Sequence, residues 1–133
     1  MMVAESDVDQ FSLFPEANAA DIVRTRYLLS RYMKLKADVE GFETNNLSEG
    51  SEILKEAIKV KSNIEKAADL IIDNDTRRII DFRFLKGNNR KTTILRFKSI
   101  MSESTIDRYI EKGIESIAQT FKLWDEFESY KSC

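Results

Sequence analysis

Between Arg77 and Lys112 the chain carries ten basic side chains and four acidic ones. The bases are Arg77, Arg78, Arg83, Lys86, Arg90, Lys91, Arg96, Lys98, Arg108 and Lys112; the acids are Asp81, Glu103, Asp107 and Glu111. The segment is therefore +6, and because the whole chain is −2 the remainder carries −8. Such an asymmetry suits an anionic partner at the basic segment, or else a solvated basic face balanced by the acidic half.

Bond-making chemistry has little to work with. The chain has no histidine, which removes the commonest general base and the commonest metal ligand. The one cysteine, Cys133, is the last residue, so no internal disulfide can form and metal-ligand spacing is absent. There is no glycine-rich phosphate loop and no convincing carboxylate pair. Glu65 and Asp69 read as a solvated helical face rather than a metal site. The expectation is a protein that is not an enzyme and that needs no cofactor and no metal.

The elements that must position the basic side chains come next. At 133 residues the chain has the size of one ordinary domain, long enough to bury a core unaided. No apolar run approaches the ~20 residues of a membrane span. The acidic opening "MMVAESDVDQ" does not read as a secretory signal, so a cytoplasmic protein is expected, with no membrane partner. Residues 1–18 lack periodicity and read as a flexible arm, in which "FSLF" (Phe11 to Phe14) offers apolar side chains for docking on the body.

Residues 19–73 read as a helical hairpin. In "ADIVRTRYLLSRYMKLKADVEGF" the residues Leu28, Tyr32, Leu35, Val39 and Phe42 recur at helical spacing, widened by Ile22, Leu29 and Met33, with Gly41 as the expected stop. In "SEILKEAIKVKSNIEKAADLIID" the stripe is Ile53, Ala57, Val60, Ile64, Ala67 and Ile71, with Ser48 or Ser51 as cap. A short polar loop, punctuated by Gly50, joins them, which predicts an antiparallel pair with coiled-coil-like packing. Its apolar stripes suit a homodimer surface or packing against the C-terminal region; Trp124 and Phe127 can serve either.

Residues 74–133 are harder to read. Ile80, Phe82 and Phe84 alternate with Asp81 and Arg83, and "KGNN" could be a hairpin turn before a return strand "TTILRF". The alternative is a helix capped by Asn74 or Asp75 and ended by Gly87, then a short helix from about Asn89. Periodicity alone leaves both open. The last segment is plainer: Ser102 is a good N-cap, Glu103 suits the positive helix end, and Ile106, Ile110, Ile114, Ile117, Phe121 and Trp124 form one stripe to about Glu128.

Taken together, "RRIIDFRFLKG", "NNRKTTILRF" and "MSESTIDRYIEKGIESI" resemble a helix-turn-helix of the sigma-factor promoter-reading type. The whole chain resembles the small ArpU- and RinA-type late-gene transcriptional regulators of phages. The resemblance spans about residues 20–125 and is strongest from Arg77 to Ile117; it favours helices over the hairpin at 79–98. It implies an all-α protein, an N-terminal antiparallel helical hairpin followed by a sigma-like helix-turn-helix with an extended C-terminal helix. The turn before the third helix usually carries a glycine; here it reads "KSIM", Lys98 to Met101, which leaves room for a longer or distorted turn.

What the resemblance implies for function is double-stranded DNA binding in the host bacterial cytoplasm, activating phage late (packaging and lysis) genes. The third helix would enter the major groove. Ser102, Ser104 and Thr105 would meet phosphates or bases, Arg108 a guanine, and Tyr109 and Lys112 base or backbone. Arg90 and Lys91, at a helix start, suit phosphate; Arg77, Arg78 and Arg83 would add backbone contacts. Ile79, Phe82, Leu95, Ile106 and Ile110 would form the small core beneath. The competing reading is a helical interaction protein whose basic segment meets RNA polymerase or another regulator.

Overall fold

The computed structural model describes residues 16–44 and 52–132. These residues form six α-helices and no strand: α1 (Ala19–Ser30), α2 (Tyr32–Thr44), α3 (Glu52–Asp69), α4 (Asn74–Ile80, continued by a π-helical turn, Asp81–Leu85), α5 (Arg90–Phe97) and α6 (Glu103–Ser132). None of the described helices is long and apolar enough to cross a membrane. The "FSLF" segment, Gly50 and the two alternative serine caps lie outside the described residues, as does the side chain of Phe127.

The first apolar stripe is read by two helices where one was expected. Arg31 separates α1 from α2, and its amide bonds back to the carbonyls of Tyr27 and Leu28. The Ser30 hydroxyl donates to the Tyr27 carbonyl at 2.6 Å, a side-chain competition with the backbone that bends helices. The break lets the two parts bury against different partners: α1 lies on α6, whereas α2 lies on α3. Asn18 starts α1 with a reciprocal capping box to Asp21. Gly41 does not stop α2, which continues to Thr44; a lone glycine costs a helix only about 1 kcal/mol relative to alanine.

The ambiguous stretch resolves into helices. Asp73, rather than Asn74 or Asp75, caps α4 through the Thr76 amide and hydroxyl. The Lys86 amide reaches the Asp81 carbonyl five residues back at 2.9 Å, the signature of a π turn. This turn satisfies the strand-like alternation in another way. Ile80 and Phe84 are buried in the common core, and half-buried Phe82 meets the Phe97 ring edge-on at 5.7 Å. Gly87 then ends the element with φ +75, and a Cβ there would lie 2.7 Å from Cγ of Met33. Asn89 caps α5 through the Thr92 amide at 2.8 Å. Leu95, expected in the core, is 56% exposed; Thr93 and Phe97 are the buried residues of α5.

α6 is the spine. It packs on α1, α3, α4 and α5, burying Ile106, Ile110, Ile114, Ile117 and Ala118. The core is continuous: Leu29 and Tyr32, Ile64 and Ala67 from the N-terminal helices join Ile79, Ile80 and the α6 isoleucines. Phe121 and Trp124 pack against this cluster half-buried. No buried side-chain nitrogen or oxygen among the described residues lacks a partner. The tightest approach is at Gly113, where an added Cβ would overlap Cγ1 and Cδ1 of Ile80 and sit 3.2 Å from Cγ2 of Thr76.

That approach sets an expectation with an inverted sign. Glycine to alanine inside a helix ordinarily adds about 1 kcal/mol. At Gly113 the methyl has no room, because Ile80 is itself fully buried. Gly113→Ala should instead lower stability by about 1–3 kcal/mol. In urea unfolding, adding Ile80→Ala should then cost less than it does alone, because the two changes share one space.

Candidate nucleic-acid interface

The start of α6 is built as its sequence suggested. The Ser102 hydroxyl accepts from the Thr105 amide at 3.3 Å and donates to the Thr105 hydroxyl at 2.8 Å. Ser102 thus works as the N-cap, with the Ser104 hydroxyl 3.3 Å away. Thr105, Arg108 and Lys112 follow at spacings that place them on one side of the helix. Arg108 and Lys112 are exposed there, and Thr105 is partly exposed. Tyr109 is half-buried against the core, with the Arg108 guanidinium 5.8 Å from its ring centre. The turn before α6 needs no glycine: residues 98–102 close through the amides of Ile100 and Met101, both bonded to the Phe97 carbonyl.

Arg90 has a different situation from Lys91. Its Nε and Nη2 form a two-pronged contact with Asp107, at 2.9 and 2.7 Å, and Nη2 also reaches Glu103 at 3.4 Å. The guanidinium therefore ties the start of α5 to the first turns of α6, a geometry that favours orientation. Arg90 holds Asp107 below the usual carboxylate range, through the hydrogen bond first and the charge second, and Asp107 in turn raises Arg90. Lys91 is exposed, with no carboxylate in ion-pair distance among the described residues.

The remaining bases divide the same way. Arg77 donates to the Ile71 carbonyl and to Asn74, and Arg83 donates to the Asn88 carbonyl at 2.8 Å while lying 4.6 Å from the Phe84 ring centre. Burial lowers the Arg83 pKa from its ordinary value. Both arginines brace turns. Arg78 pairs with Asp75 at 3.7 Å and Lys86 with Asp81 at 3.4 Å. Five bases are left exposed and without an ion pair among the described residues: Lys91, Arg96 and Lys98 on α5 and its following turn, and Arg108 and Lys112 on α6.

All four acids of the segment are engaged. Asp81 pairs with Lys86, Glu103 and Asp107 share Arg90, and Glu111 pairs with Arg26 of α1 at 2.5 Å. The segment's own carboxylates are thus taken up by other bases; of the five cations, Lys112 also feels the charge of Asp73, which precedes α4. Arg96 and Lys98 were part of the basic tally but were not singled out as site residues. The structure sets Arg96 5.9 Å from both the Phe82 and Phe97 ring centres, within cation–π distance of each, while the residue stays exposed. Its neighbour Phe97 was the only local signal for this. Comparison with protein-family models, with curated proteins and with solved structures finds no match.

The Asp107 pair has a consequence in acid. Its folded pKa lies below the unfolded value of about 3.9, so between the two the unfolded chain binds more protons. Stability from this pair is fully present above about pH 4 and is lost as pH falls through the folded value. Asp21 and Asp73, also lowered, act in the same direction. Thermal unfolding followed by circular dichroism from pH 6 to pH 2.5 should show the loss, and Asp107→Asn should make the dependence shallower. An unchanged slope in that variant would remove the pair from the account.

Proposed function

We propose that the chain is a sequence-specific regulator of transcription that binds double-stranded DNA, with α4, α5 and α6 serving as a helix-turn-helix and the first turns of α6 entering the major groove. The observation that carries this reading is the set of five unpaired, exposed cations on α5, the following turn and α6, in a segment whose acids are all paired. Arg108 is the guanine reader, with Lys112 and Thr105 beside it on the same side of the helix. Lys91, Arg96 and Lys98 take phosphates, which fix position without reading sequence. Arg90, already engaged by Asp107, holds α5 and α6 at a fixed angle. Ser102 caps, and Tyr109 supports Arg108 from below. Control of phage late genes, in the manner of ArpU- and RinA-type regulators, rests on the sequence resemblance.

A second reading has one observation in its favour. Leu95 and Ile100 are 56% and 62% exposed, close in sequence to Arg96 and Lys98. An apolar pair among cations suits the acidic surface of a protein partner such as RNA polymerase.

Selection of bound duplexes from a random pool separates the two. The first reading gives an enriched motif whose affinity falls with salt by a log–log slope of about −0.9 for each phosphate contacted. Arg108→Ala should cost about 1–3 kcal/mol and relax the preference at one base pair, whereas Lys91→Ala should weaken all sequences alike and reduce the slope by about one. Absence of enrichment, with a salt-insensitive residue of binding, would count against direct readout and turn attention to Leu95 and Ile100.

A further inference from the structure

An open apolar groove of about 570 Å³ runs between the α1–α2 wall and α3, on a face that carries none of the five free cations. Leu35 and Val60 line it half-buried. Its rims are large apolar side chains left in water: Tyr27 is 60% exposed and Ile53 77%. Ile53 belongs by spacing to the same stripe as buried Ile64 and Ile71, but at that turn Leu54 takes the buried place and Ile53 is left in water on the groove side.

The two walls differ in charge. The α1–α2 wall presents Arg31 and Lys34, with Asp38 held by Lys34 at 3.4 Å, a net of +1; the α3 wall presents Glu52 and Glu56, a net of −2. Arg31 and Glu56 have no ion pair among the described residues, and Glu52 is met only at 3.8 Å by Lys55.

We propose that this groove is closed by the same groove of a second copy of the chain, related by a two-fold axis running along the helices. A two-fold contact uses one patch twice and must be self-complementary. With the axis along the helices, the α1–α2 wall of each copy lies over the α3 wall of the other. Arg31 and Lys34 then face Glu52 and Glu56 in both halves of the contact, and the Tyr27 and Ile53 rims are covered. An axis across the helices would set like walls together, which the charges oppose. Apolar burial supplies the association and the charges choose the register. The inference goes beyond DNA binding and stands or falls without it.

The test is the mass of the full chain in solution, by light scattering or sedimentation from low to high micromolar concentration. The wild type should approach the mass of two chains, and Ile53→Glu should be monomeric with unchanged helicity by circular dichroism. Two doubly substituted chains make the test specific. Arg31→Glu with Lys34→Glu leaves both walls acidic, and Glu52→Lys with Glu56→Lys leaves neither acidic. Each should be monomeric alone, and an equal mixture should form a one-to-one dimer, because every wall then meets its opposite. A wild type that stays monomeric, its groove filled by residues 1–15, by residues 45–51 or by a different partner, overturns the proposal. So does a dimer that survives Ile53→Glu, or a mixture no more associated than its components. Loss of DNA binding with the dimer intact would strike only the reading of the basic segment.

Discussion

The close approach of α4 to α6 at Gly113 is the constraint on which the arrangement rests. A side chain at that position would occupy the space taken by Ile80, and Thr76 closes the same site from one turn earlier in α4. Because the glycine leaves that space open, α6 can sink between α4 and the N-terminal helices instead of lying across them. Its apolar stripe is then buried from Ile106 to Ala118 by contact with four other helices. Short elements such as α4 and α5 are too brief to be stable alone. Their stability comes from seating against this spine, with caps from Asp73 and Asn89 fixing where each begins. The orientation of the outward cations on α6 is inherited from how deeply its inward face is held.

Local signals made much of this legible. The isoleucine ladder of α6 and its Ser102 cap follow from spacing and from one hydroxyl, both short-range properties. The second stripe was equally plain from Ala57 to Ile71. What spacing could not reveal was where a stripe would find cover. The pattern of the first helix runs unbroken across Arg31, yet the chain turns there because its two parts serve different neighbours. Leu95 and Ile53 match their apolar patterns and are nevertheless exposed. Gly41 had the right residue type for a stop but sits inside α2. The alternation of Ile80, Phe82 and Phe84 could not distinguish a strand from a π turn, since both send neighbouring aromatics in different directions. The resemblance, not the periodicity, favoured helices.

The candidate interface has the same division. Exposure of Arg108 and Lys112 follows from their phase on α6 relative to the isoleucines. The partnership of Arg90 with Asp107 joins residues 17 apart on different helices, and that of Arg26 with Glu111 joins residues 85 apart. Neither is visible until the helices are placed. These pairs change the meaning of the charge count. By count, Asp107 and Glu111 are two of the four acids set against the ten bases. In the folded chain each is committed to an arginine, one within the segment and one on α1. The free cations of the segment lie on α5, its turn and the start of α6, the same stretch in which Arg90 takes up Glu103 and Asp107.

α6 also links the two surfaces described above. Its first turns carry Arg108 and Lys112, while Phe121 and Trp124, further along, border the space between α1 and α3 together with Leu28 and Val60. Leu28 and Val60 also line the apolar groove, so that groove and the C-terminal half of α6 share a floor. The helix is continuous over its 30 residues, about 45 Å at ~1.5 Å per residue. A contact made at the groove would therefore fix where the cationic turns stand, without any hinge between them. This matters for a module of this size. One small helical reader buries little surface on a duplex, whereas two held at a set spacing act at a high effective concentration toward each other's site. An exposed apolar groove is an unfavourable feature for a monomer, and the spine is what connects it to the cationic turns. They have a physical purpose together if the groove sets the distance and the start of α6 does the reading.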